Sequence, residues 1–255
     1  MNESQDAFTT LTAVDRRHLA ELLVAWPTWV RHAPGVLLAP LMVLYDDRAA
    51  DGIARNELDW LFGEHDRVIA VSVRDVLPKG FPHETVTQRE RMLTGLVFAA
   101  RRIRTEWFLK LDTDTLACDG GDEARFFPIM PSDHVFAAPR WGYTKPGHWL
   151  DTLDRWADQV APGNAKPARH QAGAVAKSRR IISYAMWCRT SFTNECLDLL
   201  GDASRLPIPS QDTFLWYCAE LLGRPYSRIT PDRMPWRHAG GNMNKLERLA
   251  REFVS

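Results

Sequence analysis

Residues 107–115 read Trp107-Phe108-Leu109-Lys110-Leu111-Asp112-Thr113-Asp114-Thr115. An apolar run of strand type stops at two carboxylates spaced i, i+2. Residues at that spacing in a strand point to the same side. Where a strand opens into a loop, two such side chains converge on one point. Aspartates are rarely buried unless paired or bound to metal, so Asp112 and Asp114 form a candidate divalent-cation site. The competing reading is a strand followed by an Asp-rich turn.

The chain before this stretch alternates in type. Residues 8–14 (FTTLTAV) are β-prone and end at Asp15. A helical pattern over residues 18–30 follows, with Asp15 as its expected N-cap and Pro27 expected to kink or end it. The nearly continuous apolar run 36–45 (VLLAPLMVLY) suits a strand buried on both faces, and stops at Asp46-Asp47. A helix over 54–62, a strand over 67–73 ending at Arg74-Asp75, and a Pro/Gly loop over 76–85 come next. Residues 87–104 then form a long helix whose stripe is Met92, Leu93, Leu96, Val97 and Ala100, with its arginines outward.

The first 115 residues therefore read β-α-β-α-β-α-β. The fold class is α/β, a mostly parallel central sheet flanked by helices. Ligands of such open sheets bind beyond the carboxyl ends of the strands. Asp15, Asp46, Asp47, Asp75, Asp112 and Asp114 all fall at expected strand ends, and this clustering favours the functional reading of Asp112 and Asp114.

The second half is less regular. Strands are expected over 135–141 and 181–188, and helices over 150–160, 193–200 and 213–222, the last ended by Gly223. A charged C-terminal helix follows the turn RHAGGN (237–242). Residues 161–180 carry no core-forming pattern and read as a mobile basic loop.

Composition excludes several classes. A formal net charge of zero offers no basic field for duplex nucleic acid. The four cysteines have no zinc spacing and read as reduced thiols of a cytoplasmic protein. The N-terminal MNESQDAFTT is polar and acidic, unlike a signal peptide. No run approaches the roughly 20 apolar residues of a membrane span. P-loop, dinucleotide-binding and serine-elbow signatures are all missing.

An alternating start followed by an apolar strand closing on D-x-D resembles the glycosyltransferases of the A-type fold, in the manner of family 2. KLDTDT preceded by TEWFLKL carries the likeness, which covers residues 8–116 and, more loosely, the rest. The resemblance implies one domain over 1–255, with residues 1–116 binding a nucleotide sugar and 117–255 the acceptor. It implies a UDP- or GDP-sugar donor, Mn²⁺ or Mg²⁺, and an acceptor of unknown kind. Asp112 would lie near the ribose or a metal-bound water, and Asp114 would ligate the metal. Thr12 and Asp15 would border the base, with Asp46 or Asp47 against it, and Arg91 would reach the diphosphate. In inverting members an acidic pair opens a helix of the acceptor half. The matching stretch here is Ser210-Gln211-Asp212-Thr213, so Asp212 would be the general base, while Gln211 departs from the pattern. A helix cap explains Ser210 and Asp212 equally well. His238 would be a further metal ligand, the competing reading being a surface-loop histidine.

Weaker candidates are Arg237 and Lys245 for phosphate, the basic loop as a lid, and Trp141, Trp149 and Trp187 as acceptor platforms. Two rivals compete. One is a haloacid-dehalogenase-type phosphatase using Asp112, whose motif register fails by one residue here. The other is a nucleotide-sugar-binding module without catalysis.

Overall fold

A computed structural model describes residues 8–33, 39–47, 52–63, 65, 67–118, 131–138, 140–144, 148–166, 169–172, 175–182, 184–201, 208, 210–229 and 236–254. The strands are β1 (Phe8–Val14), β2 (Leu41–Tyr45), β3 (Val68–Ser72), β4 (Trp107–Leu111), β5 (Thr115–Ala117), β6 (Phe136–Ala138), β7 (Arg140–Thr144), β8 (Arg169–Ala172), β9 (Val175–Ile182), β10 (Ala185–Arg189), β11 (Ser227–Arg228) and β12 (Trp236–His238). The helices are α1 (Leu19–His32), α2 (Arg55–Phe62), α3 (Val73–Val76), α4 (Gln88–Phe98), α5 (His148–Val160), α6 (Thr190–Leu200), α7 (Gln211–Leu221) and α8 (Met243–Val254).

The central sheet runs β11-β6-β10-β4-β1-β2-β3. Its β4-β1-β2-β3 portion is parallel, as the α/β reading required. β10 adds antiparallel to β4, and β6 antiparallel to β10. From β1 the chain builds outward through β2 and β3, then returns to place β4 on the other side of β1. Crossovers diverge at such a switch point and leave a crevice at the strand C-termini. The open end of that crevice is where β1 gives way to Asp15 and β4 to Asp112.

Alternate residues of each strand feed two cores. Phe108, Leu11, Met42 and Leu44 pack with α3, α4, α6 and α7. Trp107, Leu109, Leu41 and Val43 pack on the other face with α1, α2 and α8. Covering both faces explains why these strands read as unbroken apolar runs. α4 approaches β2 and α3 at Gly95, where an added Cβ would stand 2.5 Å from Val73 Cγ2 and 2.8 Å from Leu44 Cδ2.

Several elements differ from expectation. α1 does not end at Pro27 but continues past it to His32. Pro27 lies on the solvent face, and the carbonyl four residues earlier belongs to exposed Leu23, a face on which solvent is available to stand in for the lost N–H. Asp15 holds the turn before α1 rather than the N-cap: its carboxylate accepts the His18 N–H at 3.0 Å. The expected loop 161–180 contains β8 and β9, which with β7 form a three-stranded antiparallel sheet. Ladder hydrogen bonds satisfy that backbone without requiring the apolar alternation by which strands are recognised in sequence. Arg91 is not outward; it is 2% exposed.

Candidate metal and ligand site

β4 ends in a tight turn at Asp112, where Thr115 N–H donates back to the Asp112 carbonyl at 3.1 Å. Three hydrogen bonds to two distant segments fix this turn. Asp112 N–H donates to the Tyr184 carbonyl at 2.8 Å. The Thr113 hydroxyl donates to Glu21 Oε2 of α1 at 2.7 Å. Trp29 Nε1, also of α1, donates to the Thr115 carbonyl at 2.6 Å. Both carboxylates are thereby presented at the edge of the sheet rather than left on a free loop.

The third component comes from far along the chain. β12 pairs antiparallel with β5 and sets His238 opposite Thr115. Gly240 and Gly241 both have φ of +72°, a conformation other residues rarely adopt. That bend directs Gly241 N–H onto Asp114 Oδ2 at 2.6 Å, leaving Oδ1 facing His238 Nε2 at 3.1 Å. The His238 ring stacks on Tyr184, with centroids 4.9 Å apart and planes within 7°. Lys245 Nζ holds the His238 carbonyl at 3.1 Å. One ligand atom each from Asp112, Asp114 and His238 lies within 4.8 Å of the others.

The electrostatics of the two aspartates differ. About a third of the Asp112 side chain (36%) faces the cavity, but the surrounding walls strip it of water. That desolvation pushes its pKa up, and Asp114 adds to the rise, while the ammonium of Lys110 opposes it. Lys110 Nζ is ion-paired with Asp112 Oδ1. For Asp114, burial also pushes upward, but the His238 ring and the Gly241 N–H outweigh it, so its pKa lies below the ordinary carboxylate value.

A cavity of about 720 Å³ opens beside this turn. It falls within the range of roughly 300–1,000 Å³ usual for small-molecule sites. Its floor includes Ala13, Asp15, Leu111, Asp112 and Asp114. One wall carries Arg17, His18 and Glu21, the other Thr87, Arg89, Met92, Leu93 and Leu96, and Gly240 and Gly241 close a side. Asp15 Oδ1 holds His18 Nδ1 at 2.6 Å. The hydrogen bond to Asp15 raises the His18 pKa; burial of Asp15 is outweighed by the same bond, and its pKa is lowered.

Of the expected site residues, Asp15, Asp112 and Asp114 line one cavity, and His238 joins Asp114. The others stand elsewhere. Thr12 is buried, and its hydroxyl donates to the Leu111 carbonyl at 3.0 Å, which ties β1 to β4. Asp46 is wholly buried and accepts two guanidinium hydrogen bonds from Arg91, at 2.8 and 3.2 Å. The positions expected at the base and the diphosphate are thus joined inside the protein, because Arg91 lies on the inner face of α4. Asp47 is exposed and pairs with Arg74 at 3.4 Å. Asp212 opens α7; it accepts from Thr213 N–H at 2.8 Å and from the Ser210 hydroxyl, and is not among the cavity-lining residues. Trp187 is core between β4 and β6 rather than an acceptor platform, Trp149 is half-buried, and the Trp141 side chain lies outside the described residues. The basic side chains expected on the lid also lie outside the described residues.

Sequence reasoning missed Lys110, Tyr184, Glu21, Arg17, His18 and Arg89. Lys110 had a signal, a charged residue in the middle of a fully buried strand. Arg17 and His18 adjoin a strand-end carboxylate that had been singled out.

No family model matches the sequence, and no curated protein matches it. Solved structures do. Core-mannan synthase A of Aspergillus fumigatus, in its Mn/GDP form, superposes with a TM-score of 0.61 over 94% of this chain and 76% of that one, at 9% identity. The chain has the glycosyltransferase A-type fold. Galactosyltransferase LgtC, in complex with donor and acceptor sugar analogs, gives 0.52 over 97% of this chain and 96% of that one, at 11% identity. The mannosyltransferase Ktr4p of S. cerevisiae gives 0.52 over 85% and 66%, also at 11%. At such identities the likeness is one of fold, and it does not extend to family 2. No helix among the described residues is long and apolar enough to cross a membrane.

Proposed function

We propose that the protein is a metal-dependent glycosyltransferase that moves a sugar from a nucleoside-diphosphate sugar to an acceptor hydroxyl. The observation that carries this is the Asp112–Asp114–His238 cluster at the switch-point crevice of an A-type fold. The cluster fits a divalent cation. Adjacent ligands of an octahedral ion at about 2.1 Å stand about 3 Å apart, and Asp114 Oδ1 and His238 Nε2 are 3.1 Å apart. Two carboxylates suit Mn²⁺ and Mg²⁺ alike, whereas an imidazole nitrogen favours Mn²⁺. The solved relative in its Mn/GDP form supports the same choice.

When bound, the cation supplies positive charge for the diphosphate leaving group. The chain's residues do the positioning. Gly241 takes one oxygen of Asp114 and so aims the other at the site. Tyr184 fixes the His238 ring. Lys110 holds Asp112 and balances its charge. Met92, Leu93 and Leu96 give the cavity an apolar wall. In the finer part of the proposal, residues 1–116 hold the donor, residues 117–255 bind the acceptor, and Asp212 is the base of an inverting transfer. The four free, buried cysteines support a reducing, cytoplasmic setting.

Thermal stabilisation by UDP-, GDP- and dTDP-sugars, with and without Mn²⁺, tests the proposal. A metal-dependent shift is expected with one of them; no shift with any would sink it. Asp212→Asn should lose turnover and keep donor affinity, and retained turnover would remove Asp212 as base. The phosphatase reading is not favoured by the fold, and Asp112 is already ion-paired with Lys110.

A further inference from the structure

The charged groups around the cavity are unequally committed. Each acid lining it has a partner: Asp15 holds His18, Glu21 accepts from Thr113, Asp112 pairs with Lys110, and Asp114 takes His238 and Gly241. The guanidinium groups of Arg17 and Arg89 have no hydrogen-bond or ion-pair partner among the described residues. They reach the cavity from opposite faces of the sheet, Arg17 from the turn before α1 and Arg89 from the first turn of α4. His18 lines the same cavity, and its Nδ1 is taken by Asp15. Its Nε2 is therefore the nitrogen left for a ligand.

We propose that Arg17, His18 and Arg89 form a phosphate-binding cluster, distinct from the Asp112–Asp114–His238 site and sharing its cavity. Guanidinium forks match phosphate oxygens, and an imidazolium adds a third donor. As a phosphate site the cluster stands independently of the glycosyltransferase reading. On that reading, the phosphoryl group belongs either to the donor diphosphate or to a phosphorylated acceptor. Asp15 and Glu21 face His18 and favour its cationic form, and Arg17 opposes it. Binding should therefore weaken as pH rises through the raised pKa of His18.

The test is titration calorimetry with inorganic pyrophosphate in EDTA, which silences the metal site. Wild type should bind, more tightly at pH 6 than at pH 9. Arg17→Ala and Arg89→Ala should each weaken binding about tenfold, the scale of one charge-assisted hydrogen bond. His18→Gln should lose more affinity at pH 6 than at pH 9, measured against wild type at the same pH so that the change in pyrophosphate's own charge cancels, while both arginines still contribute. Equal affinity in wild type and all three variants, or no binding by wild type, overturns the proposal. Adding UDP or GDP with Mn²⁺ and no EDTA identifies the source. Competition with pyrophosphate assigns the donor diphosphate; simultaneous binding assigns an acceptor phosphate. Arginine-dependent pyrophosphate binding with no nucleotide-sugar binding would remove the transferase reading and leave the cluster. Metal-dependent donor binding with no effect of the three variants on pyrophosphate would do the reverse.

Discussion

Arg91→Met separates a structural role from a ligand-binding one. Asp46 is wholly buried and Arg91 is 2% exposed, so their charges meet away from water. Besides two hydrogen bonds to Asp46, the guanidinium donates to the carbonyls of His83 and Val86, both at 3.0 Å. It therefore pins the loop entering α4. Removing one partner of a buried ion pair costs about 3–5 kcal/mol, and two carbonyls losing their donor add roughly 1 kcal/mol each. The expected loss is about 5–7 kcal/mol, out of a total stability on the order of 5–15 kcal/mol. At about 2–4 °C per kcal/mol for a chain of this size, Tm should fall by roughly 10–28 °C. Urea unfolding at pH 7 measures the loss. The double variant Asp46→Leu with Arg91→Met should recover most of it, because no buried charge remains. If Arg91→Met unfolds within about 1 kcal/mol of wild type yet loses donor affinity, the guanidinium is a ligand group and the reasoning fails.

Asp114→Ala should abolish Mn²⁺-dependent stabilisation, and His238→Ala should weaken Mn²⁺ by about tenfold or more; unchanged Mn²⁺ affinity in either would remove that residue from the metal site. Gly95→Ala should destabilise by about 1–3 kcal/mol despite alanine's better helix propensity, since its Cβ would meet Val73 and Leu44; a stabilised variant in urea would show that α4 shifts freely. The Asp15–His18 pair sets a pH window. His18 has a raised pKa, so its contribution is complete below the unfolded value, about 6.5, and is lost as pH rises through the raised one. Asp15 has a lowered pKa, so its contribution holds above the unfolded value, about 3.9, and disappears as pH falls through the lowered one. The stability gap between wild type and His18→Gln should thus be larger at pH 5.5 than at pH 9, and a constant gap would refute the pairing.

The first half of the fold was legible because β2 and β4 are buried on both faces and declare themselves as apolar runs. The carboxylates at the ends of β1 and β4 were legible as strand-end residues, and they line one cavity. Asp46 misled for a physical reason: a strand-end carboxylate looks the same whether it faces a ligand or a buried guanidinium. Only the inward face of Arg91 distinguishes the two, and that depends on how α4 is rotated. The antiparallel half was hidden in pairings between distant segments. β10 lies against β4, and β12 against β5, and no local pattern announces either. His238 was expected beside Asp114 from the resemblance; the pairing of β12 with β5 that brings it there has no local pattern.

Asp114 and Gly241 lie 127 residues apart. In order of synthesis, both aspartates exist long before the histidine that completes their cluster. A chain made only as far as β5 carries the D-x-D turn without its third ligand and without the N–H that orients Asp114. Cation affinity should therefore arrive late and all at once, as the segment through Gly241 docks on β5. On the proposed metal site, ligation would be coupled to that docking, and part of the cation's binding energy would become folding energy for the C-terminal segment. A chelator would then loosen β12 and α8 before it disturbs the parallel sheet, so amide exchange should quicken first at residues 236–254.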